Sequence, residues 1–196
     1  NKSAEYLLNC RKNLKKIDIT DYIPGNEKDA YRIQNCIHKI LNKNGDKVIG
    51  RKIGCTTKVM QDYLDISYPC AGIIREKQCY RSGIILDYSN YHKVGVECEL
   101  AIRLSKDIHY ANKPDIAILY ESIEEIITAI EIVDDRYSNW KNFTASYLIA
   151  DDFFSAGCVL GSSRSSFNIK EMGKLEGEML INGIEVGRGL GNDILG

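Results

Sequence analysis

The chain has almost no excess charge of either sign: 26 basic residues face 27 acidic ones, for a net charge of −1. A phosphate backbone needs a basic field to hold it, so nucleic acid is not an expected partner. No apolar run approaches a membrane span, and the start, Asn1-Lys2-Ser3, has no signal-peptide character. A membrane is therefore not expected, and a cytoplasmic location is. There is no CxxC: the seven cysteines lie apart at 10, 36, 55, 70, 79, 98 and 158. An odd, scattered set argues against a disulfide framework and for reduced, partly buried thiols. His38, His92 and His109 lack metal-ligand spacing, so zinc is not expected either. Internal repeats and low-complexity segments are also missing.

What is present is the composition of a soluble globular protein, with 44% hydrophobic and 27% charged residues over 196 positions. Residues 4–16 read as a helix with Leu7, Leu8 and Leu14 among its apolar positions. After the break at Pro24-Gly25, Asn26 is placed to cap a second helix, whose Ala30, Ile33, Ile37, Ile40 and Leu41 share one face. Gly45 stands where that helix should stop. Residues 47–54 read as a strand carrying two glycines, and Thr56 is placed to cap a short helix with Val59, Met60 and Leu64. Strands are expected at 82–88, 94–104 and 157–161, and a helix at 145–152. Ser122-Ile123-Glu124-Glu125 has the pattern of a capping box that opens a helix. Asn182-Gly183 between apolar runs predicts a tight hairpin. Helices thus gather at 1–46 and strands over 47–196, which predicts an α+β fold with a mixed, largely antiparallel sheet.

The chemistry concentrates in two acidic segments. In the strand at 94–104, Glu97 and Glu99 point to the same face, opposite Val94, Val96, Cys98, Leu100 and Ile102. Two carboxylates held that close repel unless a cation compensates, and Mg²⁺ prefers oxygen ligands. Glu131 lies in the apolar run Ile130-Glu131-Ile132-Val133, where an unpaired carboxylate is costly. It requires a metal or a basic partner, and Arg136 is the nearest candidate in sequence. Asp134 is the alternative third acid. Gly187-x-Gly189-x-Gly191 does not lead from a strand into a helix and reads as turn glycines rather than a phosphate loop.

With these segments in view, the chain resembles the 2-keto-4-pentenoate hydratase and 4-oxalocrotonate decarboxylase family of the fumarylacetoacetate hydrolase superfamily. Ala30-Tyr31-Arg32-Ile33-Gln34, Gly50-Arg51-Lys52-Ile53-Gly54-Cys55-Thr56-Thr57 and Pro69-Cys70-Ala71-Gly72 are similar to its motifs. So are Glu97-x-Glu99, Glu131-Ile-Val-Asp-Asp-Arg136 with Trp140, Ala150-Asp151 through Ser155-x-Gly157-x-Val-Leu-Gly161, and the late Asn182-Gly183. Three departures stand out. Asp152 replaces an asparagine, Phe153 and Phe154 replace small residues, and Cys70-Ala71 occupy the place of an acid that takes part in proton transfer. The family also continues past a segment like 187–191, so a C-terminal stretch of its fold is expected to be missing from this sequence.

The resemblance implies N-terminal helices at 1–46 and a β-sandwich or roll catalytic core at 47–196. It implies Mg²⁺ or Mn²⁺ held by Glu97, Glu99 and Glu131, with Lys52 as proton shuttle or carboxylate partner and Ser155 bonding substrate or water. The implied substrate is a small unsaturated 2-oxo acid whose enolate the metal stabilises. The implied reaction is hydration of a 2-hydroxy-2,4-dienoate to a 4-hydroxy-2-oxo acid. A 4-oxalocrotonate-type decarboxylase and a non-catalytic binding or supporting subunit are the alternatives. A homo-oligomer, with a partner enzyme of the same pathway as a further possibility, is the implied assembly.

Overall fold

The structure is a computed structural model and describes residues 1–18, 24–109 and 113–194. Two helices open it. In α1 (Lys2–Asn13), Ala4, Leu7 and Cys10 are buried, and the helix ends at Leu14, whose left-handed φ of 49° turns it outward. Leu14 is therefore a cap residue rather than part of the apolar stripe. In α2 (Glu27–Lys43) the Asn26 side chain accepts a hydrogen bond from the Asp29 amide at 3.0 Å, as the sequence predicts. Ala30, Ile33 and Ile37 are buried along one stripe, and Gly45 takes φ +76° just after the helix. These stripes meet α5 (Ala145–Ala150), Tyr137, Phe143 and Phe153 in one apolar core.

Two polar residues share the buried face of α2. Gln34 donates to the carbonyls of Ala71 (3.1 Å) and Ile149 (2.9 Å), while the Tyr31 hydroxyl accepts from the Ala71 amide at 3.0 Å. The Tyr-x-x-Gln pair thus satisfies both backbone groups of one residue, as a neighbouring strand would. His38 Nδ1 faces Arg75 Nη1 at 3.0 Å. Arginine can only donate, so Nδ1 accepts and the ring proton sits on Nε2, which is 3.0 Å from Asp152 Oδ2.

The strands form three sheets. β1 (Val48–Gly54) pairs antiparallel with β2 (Cys70–Arg75). A four-stranded sheet runs β3 (Cys79–Arg81), β6 (Ser155–Arg164), β5 (Ile123–Asp134), β4 (Val94–Leu104). Its β3–β6 pairing is parallel and the others are antiparallel. β7 (Glu176–Ile181) and β8 (Ile184–Leu190) form a hairpin through Asn182 and Gly183, both at positive φ. This is the turn that Asn-Gly predicts. The fold is the expected α+β, mixed and mostly antiparallel. Among the described residues, no helix is long and apolar enough to cross a membrane.

Three local expectations are corrected. Ser122 does not open a helix. It closes the short α4 (Ile116–Glu121), with its Oγ donating to the Ile118 carbonyl at 2.7 Å, and Ile123–Asp134 is the central strand. Ile123, Ile126, Ile127, Thr128, Ile130, Ile132 and Val133 are β-branched, and partners on both sides reward that preference. Residues 82–88 are not a strand: β3 ends at Arg81 and the chain turns at Gly83, whose φ is +90°. The short helix α3 (Lys58–Tyr63) is capped by Thr57, not Thr56. One further difference concerns β4, whose span is as expected but whose apolar face is not covered. Val96 and Ile102 remain 45% and 47% exposed.

Candidate metal centre

Pairing in the four-stranded sheet places Glu97 of β4 directly opposite Glu131 of β5, and Glu99 opposite Ala129. The small Ala129 leaves room for the third carboxylate to lean into the same space. One oxygen from each of Glu97, Glu99 and Glu131 lies within 4.8 Å of the others. The three acids that were separated by up to 34 positions therefore converge on one point. Glu97 and Glu99 are on the exposed part of β4, and Glu131 is half-buried.

Their electrostatics are those of crowded carboxylates. Burial raises the Glu99 carboxyl above its ordinary range, and the charges of Glu131 and Glu97 raise it further; Lys52 and the Leu100 amide act in the opposite direction. Glu131 is also raised, first by burial and then by Glu97. The Lys52 charge and hydrogen bond, with a hydrogen bond to Ser155, offset part of that. Lys52 Nζ forms a hydrogen-bonded ion pair with the half-buried Glu131, and its own side chain is half-buried too. Among the described residues, Glu97 and Glu99 make no ion pair with a basic side chain. Three carboxylates and one ammonium leave two negative charges at the point of convergence, which suits a divalent cation.

Arg136, the local candidate partner for Glu131, points elsewhere. Its guanidinium meets Asp151 at 2.7 Å and donates to the carbonyls of Phe154 and Ser155 at 3.2 and 3.3 Å. Asp134, the alternative third acid, is outside the cluster. Its Oδ1 accepts from the amides of His92 (2.9 Å) and Lys93 (2.8 Å).

Two supports of the site were not visible in the spacing of charged residues. Lys52 reaches Glu131 by crossing its strand partner, Gly72. A Cβ on Gly72 would lie 2.7 Å from Lys52 Cγ and 3.0 Å from its Cδ. Gly72→Ala is therefore expected to push the Lys52 stem aside and break its pair with Glu131. Turnover should fall by at least about tenfold, while the stability cost stays near the ~1–3 kcal/mol of overpacking. Steady-state kinetics beside thermal melts check this. A variant with unchanged turnover shows that the lysine's route is not constrained there.

The second support lies before Ser155. Asp152, Phe153 and Phe154 all adopt left-handed φ values, 56°, 48° and 64°. Such residues cost roughly 1–2 kcal/mol each, so the surroundings must hold them. They do: Asp134 donates its amide to the Phe154 carbonyl at 2.9 Å, Phe153 donates to Leu148 at 2.8 Å, and Arg136 ties the Phe154 and Ser155 carbonyls. This left-handed turn delivers Ser155 to the side of Glu131. Two bulky phenylalanines disfavour positive φ, so local sequence preference does not anticipate this turn.

This fold is shared with known proteins. No protein-family model matches the chain. It is 32% identical over 145 residues to a 2-keto-4-pentenoate hydratase of Burkholderia vietnamiensis, covering 74% of this chain and 55% of that protein. It is 28% identical over 170 residues to a 2-hydroxyhexa-2,4-dienoate hydratase of Comamonas testosteroni, covering 86% of this chain and 64% of that protein. The structure superposes with a TM-score of 0.89 on 4-oxalocrotonate decarboxylase from Pseudomonas putida G7, solved with magnesium and adipate. That match has 25% identity and covers 99% of this chain and 74% of the other. The fold is that of the solved 4-oxalocrotonate decarboxylase. By sequence the chain is similar to 2-keto-4-pentenoate and 2-hydroxyhexa-2,4-dienoate hydratases, and by fold to 4-oxalocrotonate decarboxylase. It spans 55% and 64% of the length of the two curated relatives.

Proposed function

We propose that the protein is a divalent-metal-dependent hydro-lyase that adds water to a 2-hydroxy-2,4-dienoate to give a 4-hydroxy-2-oxo acid. The observation that carries the reading is the convergence of Glu97, Glu99 and Glu131 within 4.8 Å, with Lys52 the one basic side chain paired to them among the described residues. An all-oxygen, net-negative donor set fits Mg²⁺ or Mn²⁺ rather than a thiophilic ion. Glu97, Glu99 and Glu131 would hold the ion. When bound, it supplies Lewis-acid polarisation of a 2-oxo group and neutralises developing negative charge.

The remaining chemistry falls to the chain's own side chains. Lys52 Nζ, at the inner side of Glu131, is placed to hold a proton or to bind the substrate carboxylate. Its pairing with Glu131 fixes the ammonium while the stem is walled by Gly72. Ser155 restrains Glu131 through its hydrogen bond and offers a hydroxyl to substrate or water. The expected substrate is a small unsaturated 2-oxo acid, and the expected assembly is a homo-oligomer. A cytoplasmic setting belongs to the same proposal.

The superposition on a decarboxylase favours a second reading, in which the same centre accepts the electron pair released with CO₂. Product analysis separates the two. With Mg²⁺ and a 2-hydroxydienoate, formation of the 4-hydroxy-2-oxo acid without CO₂ supports the hydratase. Release of CO₂ from a 4-oxalocrotonate-type substrate supports the decarboxylase. Saturable metal-dependent binding of oxalate with no turnover of either substrate removes both and leaves a binding subunit.

A further inference from the structure

All seven cysteines are free thiols, and two of them meet at a strand end outside the carboxylate cluster. β1 ends at Gly54, which pairs with Cys70, the first residue of β2. Cys55 follows immediately at φ 56°. The Cys70 thiol donates a hydrogen bond to the Cys55 sulfur. Gly54 is the Cα partner of Cys70, so Cys55 stands one residue beyond that pair, and its positive φ turns the chain at the strand end. The two thiols also differ in access: Cys70 is 1% exposed, whereas Cys55 is only half-buried.

We propose that Cys55 and Cys70 form a redox-active dithiol, a modification site that a peroxide converts into an intramolecular disulfide. The Cys55 thiolate attacks one peroxide oxygen and the O–O bond breaks. The departing oxygen takes a proton, leaving a sulfenic acid on Cys55. Cys70 sulfur then attacks Cys55 sulfur, and the S–O bond breaks. The hydroxide leaves with the Cys70 proton as water. With hydrogen peroxide, two thiols lose two electrons and two waters form.

The environment assigns these roles to the two sulfurs. The hydrogen bond from Cys70 lowers the Cys55 thiol from its ordinary value. Burial opposes this and the nearby Lys52 charge assists it. Cys70 is the buried resolving thiol. A second facing pair, Cys79 and Cys158 on β3 and β6, provides an internal contrast. There, burial, then Cys79, push the Cys158 thiol up to about 12; Cys70 is raised as well, by its hydrogen bond to Cys55 and by burial, so the two pairs differ in the lowered Cys55 thiol. The bridge would clamp the strand end next to Lys52 and its partner Gly72.

The test uses the full chain exposed to hydrogen peroxide, quenched by alkylation and mapped by non-reducing peptide mass spectrometry. The expected result is a Cys55–Cys70 cross-link, two hydrogens lighter than the dithiol pair and reversed by dithiothreitol. Cys79 and Cys158 should still be alkylated. In Cys70→Ser, dimedone should trap a sulfenic acid at Cys55. Both thiols staying alkylatable while other cysteines oxidise overturns the proposal, as does a first bridge between Cys79 and Cys158. A wild-type mapping suffices for this decision if a serine variant fails to fold. The readout is independent of the lyase activity.

Discussion

Glu99→Gln is expected to weaken Mg²⁺ binding by at least roughly 100-fold, the upper end of what losing even an outer-shell partner costs. Activity should fall with it. The exchange preserves shape and removes one of three converging charges. Its effect on the metal-free protein should have the opposite sign. Glu99 and Glu131 are both raised, so between their ordinary values and their raised ones the folded state binds more protons than the unfolded state. Stability of the metal-free protein therefore falls as pH rises through that window. A divalent cation cancels the repulsion, so the increase in Tm on adding Mg²⁺ should be larger near pH 7 than near pH 5. In Glu99→Gln the metal-free Tm should rise and the Mg²⁺ increment should shrink. Melting curves at two pH values, with and without Mg²⁺, beside isothermal titration of the ion, read all three quantities. An undiminished Mg²⁺ increment in the variant rules out Glu99 as a ligand.

That prediction rests on features legible in the sequence for a simple reason. Period-2 alternation in β4 fixes the face of Glu97 and Glu99 with no knowledge of the fold. Asn26 as a cap and Asn182-Gly183 as a turn are likewise local, and the structure places both where their chemistry predicts. Glu131 was marked by the cost of a carboxylate in an isoleucine run. The features missed are set by contacts distant in sequence. Ser122 carries a helix-opening pattern, but the segment after it gains two strand partners that no local rule anticipates. The freedom of Lys52 to reach Glu131 depends on a glycine twenty positions later in a neighbouring strand. Arg136 looked like a partner for Glu131 because it is five residues away. A buried acid from α5's end claims it instead. The sequence shows a carboxylate's need for a counter-charge, but only packing shows which cation arrives.

Asp151→Asn is expected to destabilise the fold by about 3–5 kcal/mol, the cost of removing one partner from a buried ion pair. At roughly 2–4 °C per kcal/mol for a chain of this size, Tm should drop by about 6–20 °C. Asp151 is fully buried and sits between two guanidiniums. Arg11 Nε donates to its Oδ1 at 2.8 Å, and Arg136 binds its Oδ2 at 2.7 and 3.0 Å through Nη2 and Nε. Its carbonyl also accepts from both arginines. One carboxylate thereby joins α1, the segment after β5, and the end of α5. Burial alone would raise its pKa, but the charges of Arg11 and Arg136 outweigh it and hold the group below the ordinary range. A depressed folded pKa means this stabilisation is fully present above the unfolded value near 3.9 and is lost as pH falls through the folded value. The wild-type protein should therefore keep this contribution down to about pH 4, whereas the variant should lack it at every pH. The loss should be smaller in an Arg11→Met background, because Arg11 is partly exposed while Arg136 is almost wholly buried. The residual destabilisation there then reports Arg136 left without its acid. If chemical denaturation at pH 7 shows Asp151→Asn within about 1 kcal/mol of wild type, the surrounding carbonyls alone hold both arginines. The left-handed turn that carries Ser155 would then owe its position to backbone hydrogen bonds rather than to this charge.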